Sequence, residues 1–562
     1  MDAIQASGAG GPVEEIRRVD VQLGHQPQRF RDRLVSIINP AGTLRFDLFL
    51  FFSAFLGYFL ASDTYLNDYD AVNYALAVRE FNVALDMPHP PGAPLFVFLA
   101  RFVHYFVDDI PLSLALASAC GGAAFVILWR RIFDLFLSPR AAAVGAIVLA
   151  ISPGVWMTSS QLMSDSVAAA ALSSCLLLAL YYARGARPGV FMLFSAMLAL
   201  SVGIRPQYGL LAIFLFFSSM LYFRLAIKDC VRAVAVFTVV NLAWLLPTIY
   251  SQYNLDGTGW MTYFNQIIRF KTHFDSASGS PLLADGIDVL QTAKRGGVHV
   301  GSLGYFGLGL NLWYPDSVGA ALAKLGTELN PWYEDTAEWT YAGSFYTLVY
   351  VICCAVLLTR TKHYQQRIKR SSRYLGYLLL FAMAYFLIVV MVVPPHIRFY
   401  LPIMPFFVLL ALLGAQSTVF NNKLQYALLV AALASSLPTL SESLNSQSPP
   451  LALIEKVRSV SNETGEGTVL ILNANASRHA MWYLPEAELI IREHLTRELE
   501  PAEVFVAGKR VFSNTRFALP DDAASVQRLG RYRRSFKVWM RHTSNDLYEL
   551  TPTPEVRALS PE

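Results

Sequence analysis

Apolar runs of about 20 residues recur through most of this 562-residue chain, and each is long enough to cross the hydrocarbon core of a bilayer as a helix. A chain of that kind folds with a bilayer as part of its solvent, because no aqueous core could bury so many such runs. Composition agrees. Hydrophobic residues make up 54% and charged residues 15%, against roughly 25% charged in soluble domains. The runs fall at about 46–62, 111–129, 141–157, 166–183, 189–204, 207–223, 233–250, 343–359, 374–393, 400–419 and 424–441. The expected fold is therefore an all-α polytopic membrane protein of about eleven transmembrane helices.

One further apolar segment, 92–108, carries Arg101 and His104 and is either a span or an interfacial helix. Loop charge decides between the two readings. With 92–108 lying on the outer surface, the basic loops around Arg130–Arg131, Arg184–Arg187, Arg224–Arg232 and Arg360–Arg373 all face inward. With 92–108 crossing, they would all face outward. The first arrangement fits the positive-inside bias, so interfacial helices are expected in the first external loop. Residues 1–43 then form a disordered cytoplasmic tail, with the first span as an uncleaved targeting signal. Residues 44–441 form the membrane domain, with external loops at 63–110 and 251–342. The tail, 445–562, is a small extracytoplasmic α/β domain. Its strands are expected at 468–472, 487–491, 503–506, 535–539 and 546–550, with helices near 477–482 and 521–526. The formal net charge is +4, which gives no footing for nucleic-acid binding. The cysteines lie in or beside spans and present no disulfide framework.

This topology gathers the chemistry-bearing residues at one water boundary: Asp68, Asp70, His89, Asp165, Arg205, Gln207, His396 and Arg398. Ionisable groups are costly near a bilayer and mark function by default. Asp70 opens an apolar helix, and capping and general-base roles both suit it; Asp68 is its alternate. His89 sits in Met87-Pro88-His89-Pro90-Pro91-Gly92, where proline restricts the backbone. Bracing that turn suits His89 somewhat better than direct chemistry. Asp165, between two serines at the start of a span, reads as a cap, or as a group that positions substrate together with Gln207. Arg205 and Arg398 lie beside prolines at span ends, and arginine suits bidentate contact with phosphate; His396 stands beside them. Snorkelling to lipid headgroups accounts for one such arginine more readily than for two. No fixed-spacing metal motif is present, although Asp70 and Asp165 are the carboxylates that would hold Mg²⁺ or Mn²⁺. Arg269, Lys271 and His273 are weaker phosphate candidates, and Tyr263, Tyr305, Trp313 and Trp332 are aromatics of the long loop.

Asp70-Ala-Val-Asn-Tyr-Ala-Leu76, Pro88-His-Pro-Pro-Gly-Ala-Pro-Leu95, Ser164-Asp165-Ser166, Gly203-Ile-Arg-Pro-Gln207 and Arg398-Phe-Tyr-Leu-Pro402 together resemble the GT-C superfamily of membrane glycosyltransferases. The likeness is nearest to the protein O-mannosyltransferase type (glycosyltransferase family 39) and more distant to the lipid A aminoarabinose transferase. The resemblance implies interfacial helices in the first external loop and a polyprenyl-phosphate sugar donor used on the non-cytoplasmic face. It also implies a catalytic carboxylate in that loop, at Asp70 with Asp68 as alternate.

The functional expectation is an inverting glycosyltransferase of the cell-envelope membrane, most simply a bacterial inner membrane, with an extracytoplasmic acceptor. The rival is a transporter or flippase of a lipid-linked sugar, which would hold phosphate without breaking a bond. Transporters place ionisable groups near the bilayer midplane, often with internal repeats. Here the charges gather at one boundary and no repeat is visible.

Overall fold

The structure is a computed structural model that describes residues 41–62, 65–185, 188–269, 282–283, 286–287, 361–392, 397–416, 421–445, 449–464, 467–491, 501–505, 509–514, 524–533, 544–554 and 556. By their contacts the residues divide into two units, Met1–Ser53 and Ala54–Glu562. The described part of the first unit is the opening of helix α1 (Ala41–Leu60), which continues into the second. There follow α2 (Tyr69–Arg79), α3 (Pro94–Val107), α4 (Ile110–Asp134), α5 (Pro139–Ile151), α6 (Pro153–Ser160), α7 (Asp165–Ala183), α8 (Pro188–Ile204), α9 (Gly209–Phe223) and α10 (Ile227–Gln252). Then come α11 (Thr361–Val392), α12 (Met404–Gln416), α13 (Asn421–Asn445), α14 (Pro449–Thr464), α15 (Ala474–Tyr483) and α16 (Pro501–Val504).

Among the described residues four helices are long and apolar enough to cross a membrane: α4, α7, Pro206–Phe223 and α10. The pair α5 and α6 makes up to five, and α3, α8, Arg373–Val389 and α12 are shorter apolar helices. The chain is an integral membrane protein. The number of crossings expected from the sequence is not reproduced as such, and the run at 343–359 lies outside the described residues. The expected span 141–157 is broken: α5 and α6 meet at Ser152-Pro153 with a 55° bend. Proline removes a backbone donor and frees carbonyls of the preceding turn. Side chains take these up. Ser152 Oγ donates to Val148 O at 2.7 Å, Tyr58 OH to Ala150 O at 2.8 Å, and Ser436 Oγ to Ile151 O.

Segment 92–108 folds as α3, which at about 1.5 Å per residue is roughly 21 Å long, too short to cross about 30 Å of hydrocarbon. It buries Phe96, Val97 and Ala100 and exposes Phe102, Tyr105 and Phe106. That one-sided pattern is the one an interfacial helix needs. Arg101 turns inward and donates to Ala77 O and Val78 O at 2.9 Å each, satisfying carbonyls at the end of α2. α4 packs closely on its neighbours because Gly121 and Gly122 lack side chains. A Cβ would lie 2.7 Å from the Val167 backbone in the first case and 2.2 Å from Ser159 Oγ in the second.

The tail forms a mixed sheet of β1 (Gly467–Leu472), β2 (Glu488–Ile491), β3 (Lys509–Ser513), β4 (Ala524–Arg533) and β5 (Ser544–Pro552), in the order β2-β1-β3-β5-β4. β1 runs parallel to β2 and β3, while β5 is antiparallel to β3 and β4. Alternation along β1 builds both faces. Leu470 and Leu472 pack with Leu453, Ile454 and Val457 of α14 and Ala476 and Ala480 of α15. Val469 and Ile471 pack with Val504, Phe505 and Val511 on the other side. Of the strand expected at 503–506, residues 503 and 504 instead end α16; of the helix expected near 521–526, residues 524–526 instead open β4. Val526 and Leu550 pair across two antiparallel strands, and this non-local pairing overrides the local helical signal of the aspartates and alanines. The strand expected at 535–539 lies outside the described residues, and β3 has no counterpart in the sequence reading.

Candidate active site

α2 is buried on nearly every side, from Asp70 to Val78, and that constrains its two aspartates differently. Asp68 is the N-cap: its side chain accepts from Asp70 N at 2.8 Å. The capping role therefore falls to Asp68, and Asp70, in the first turn, is free of it. Asp70 Oδ2 accepts from Arg398 Nη2 at 2.7 Å, and Oδ1 faces His89 Nδ1 at 3.5 Å. The side chain of Asp70 is 12% exposed and that of His89 20%. The carboxylate is thus held from two sides and still reaches the site's surface.

The turn that presents His89 is braced. Gly92 adopts φ +98°, and a Cβ there would meet Val83 at 3.0 Å and Phe81 at 3.1 Å, so both the backbone and the space require glycine. Gly92 N donates to His89 O at 3.0 Å. Tyr263 OH donates to Pro91 O at 2.6 Å. Gln252, fully buried at the end of α10, accepts from Val83 N and donates to Phe81 O, both at 3.0 Å. Tyr263 is thereby a strut of the His89 turn.

Opposite stands a second ion pair. Asp165 Oδ1 and Arg205 Nη1 lie 2.5 Å apart, and both side chains are buried. Asp165 is the first residue of α7, with Ser164 at the cap position making no side-chain cap bond. The capping expected of Asp165 is replaced by charge pairing. Arg205 Nη1 also donates to Ser164 Oγ at 3.4 Å, and Ser164 Oγ shares a 3.0 Å bond with Tyr74 OH of α2. The guanidinium carbons of Arg205 and Arg398 each lie 5.2 Å from the Phe399 ring centroid, joining the two pairs into one cluster. Burial acts against the charge on each arginine. For Arg205 the groups of Asp165, Tyr208 and Tyr74 together outweigh it; for Arg398 those of Asp70, Asp165 and Asp68 do. Both guanidinium groups are therefore held above their ordinary pKa and stay cationic. Burial pushes the Tyr74 hydroxyl up to about 12, against the pull of Arg205.

Two groups retain unused bonding capacity. Among the described residues, Arg398 Nη1 donates to a thioether, Met163 Sδ at 2.9 Å, and its Nε has no acceptor. The Oε1 of Gln207 is likewise buried without a donor. His396, Lys271, His273, Tyr305, Trp313 and Trp332 lie outside the described residues, and Arg269 ends the described part of the long loop. Among the described residues no three His, Cys, Asp or Glu side chains converge as metal ligands. The sequence pointed to Asp70, Asp165, Arg205 and Arg398 without pairing them. Tyr74 and Phe399, which link them, lie in the quoted motifs but were not singled out as site residues, and Met163 carried no signal, because a phenol, a ring and a thioether on apolar segments read as core.

Residues 78–230 match the family model described as the protein O-mannosyl-transferase TMEM260 N-terminal domain. Protein O-mannosyl-transferase tmem260 of Dictyostelium discoideum is 26% identical over 151 residues, which is 26% of this chain and 17% of that protein. Two crystal structures of ArnT from Cupriavidus metallidurans also align. The form bound to undecaprenyl phosphate has a TM-score of 0.49 at 12% identity, covering 91% of this chain and 98% of that one. The apo form has a TM-score of 0.45 at 11% identity, covering 93% and 100%. The matched stretch 78–230 contains His89, Asp165, Arg205 and Gln207; Asp68 and Asp70 precede it and Arg398 follows it.

Proposed function

We propose that this chain, protein O-mannosyltransferase-like over residues 78–230, is an inverting membrane glycosyltransferase that moves a sugar from a polyprenyl-phosphate donor to an extracytoplasmic hydroxyl. The observation that carries this reading is Asp70, a carboxylate held between Arg398 and His89 and facing a second buried Arg–Asp pair. Asp70 accepts the acceptor's proton as its oxygen attacks the anomeric carbon. The bond from that carbon to the phosphate oxygen breaks, and polyprenyl phosphate leaves. Its oxygens take hydrogen bonds from Arg398, whose Nε is unused, and from Arg205, which supply the positive charge the leaving group needs. Gln207 accepts a sugar hydroxyl. Asp70 and Asp165, the carboxylates that would serve Mg²⁺ or Mn²⁺, each already face a guanidinium; the mechanism routes no step through a metal, and chelation is expected to leave turnover intact. The site opens on the non-cytoplasmic face, with residues 1–43 in the cytoplasm.

Purified protein given radiolabelled polyprenyl-phosphate mannose tests the reading. Acceptor-dependent release of polyprenyl phosphate, abolished by Asp70→Asn, is the expected result. Saturable donor binding without any bond cleavage would instead establish the transport reading. Normal turnover by Asp70→Asn would remove Asp70 from the chemistry.

A further inference from the structure

α15 of the tail domain touches the first external loop at both ends of α2 and at the turn beyond it. Tyr483 OH accepts from Leu66 N at 2.8 Å, just ahead of α2. Burial raises the pKa of Tyr69, the first residue of α2, and the nearby positive charge of Arg478 works against that rise. The Trp482 ring lies under Arg79, the last residue of α2, with the guanidinium carbon 3.8 Å from its centroid. Arg478 Nη2 reaches Asp86 Oδ2 at 3.3 Å. Residues 478 and 482 are one helical turn apart and share a face, so a single stripe of α15 makes these contacts. Arg478 is itself buried.

The two groups that Arg478 acts on, Asp86 by an ion pair and Tyr69 by its charge, both lead to the reacting carboxylate. Tyr69 precedes Asp70 directly. Asp86, in the left-handed conformation at φ 55°, precedes Met87, whose backbone pairs with Asn82 at 2.7 and 2.9 Å and starts the run to His89. We propose that Arg478 is a positioning residue for the reaction at Asp70: from the tail domain it fixes the spacing between the start of α2 and the His89 turn, and hence the contact of His89 with Asp70. The tail domain then forms part of the catalytic unit. This inference rests on the proposed role of Asp70.

Arg478→Ala, Arg478→Lys, Asp86→Asn and the double variant Arg478→Ala/Asp86→Asn are compared in the full-length protein with radiolabelled polyprenyl-phosphate mannose, alongside Asp70→Asn. Each kcat is normalised to folded protein by thermal melt. The expected result is a kcat between about tenfold and a hundredfold lower in Arg478→Ala, with donor KM within about twofold. Arg478→Lys recovers part of the loss, and the double variant is no worse than the worse single one, as coupled residues require. Wild-type kcat in Arg478→Ala with an inactive Asp70→Asn would overturn the positioning role alone. A loss explained entirely by unfolded protein, or one shared equally by kcat and KM without rescue by lysine, would overturn it too. Full activity in Asp70→Asn would remove the Asp70 reading, and this inference with it.

Discussion

Arg398 and Asp70 are separated by 328 residues of sequence and meet at 2.7 Å in a buried contact. Neither charge is tolerable there alone. Removing one partner of a buried pair leaves an uncompensated charge, while replacing both is far milder. The same holds for Arg205 and Asp165.

Arg205→Gln and Asp165→Asn are each expected to lower stability by about 3–5 kcal/mol, and the double neutral variant by less than the sum of the two. Thermal melts in detergent measure this. Strict additivity would mean that the 2.5 Å contact carries no coupling.

Asp68 and Asp70 separate function from capping. Asp68→Ala is expected to cost about 1 kcal/mol of stability while retaining most of its turnover. Asp70→Asn loses turnover. If Asp68→Ala were inactive and well folded, the base would move to Asp68.

Tyr74 gives a pH signature. Its folded pKa of about 12 lies above the ordinary value of 10, so the neutral hydroxyl is favoured by folding. That stabilisation is complete below pH 10 and is lost as pH rises toward 12. Tyr74→Phe is expected to fall off less steeply than wild type over that window in a denaturation series; parallel curves would refute the assignment.

Gly122→Ala puts a methyl group into Ser159 Oγ. Overpacking of this kind costs about 1–3 kcal/mol. The double variant Gly122→Ala/Ser159→Ala is expected to recover part of that loss in the same melts.

The membrane class, the helical state of 92–108 and many helix starts were legible because they follow from local quantities: apolar length and proline at helix starts. The site was legible only as a set of residues. Asp165 between two serines reads locally as a cap, and only the arrival of Arg205 from the end of α8 makes it an ion pair. Asp70 looks like a cap for the same reason, until Asp68 takes that role. In the tail, the aspartates and alanines near 521–526 favour a helix locally, and the pairing of β4 with β5 decides otherwise. The contacts of α15 with α2 could not be read at all, because Arg478 and Trp482 look like any polar and aromatic pair on an amphipathic helix.

The pairing of Asp70 with Arg398 also sets an order of events during synthesis. Translation at about 5–20 residues per second leaves roughly 16–66 seconds between the two residues. Throughout that interval the carboxylate is without the guanidinium that receives it in the folded protein, so the segment bearing Asp70 has to remain hydrated while the later helices are still being made. The contact between Asp70 and Arg398 forms last, once the segment bearing Arg398 arrives.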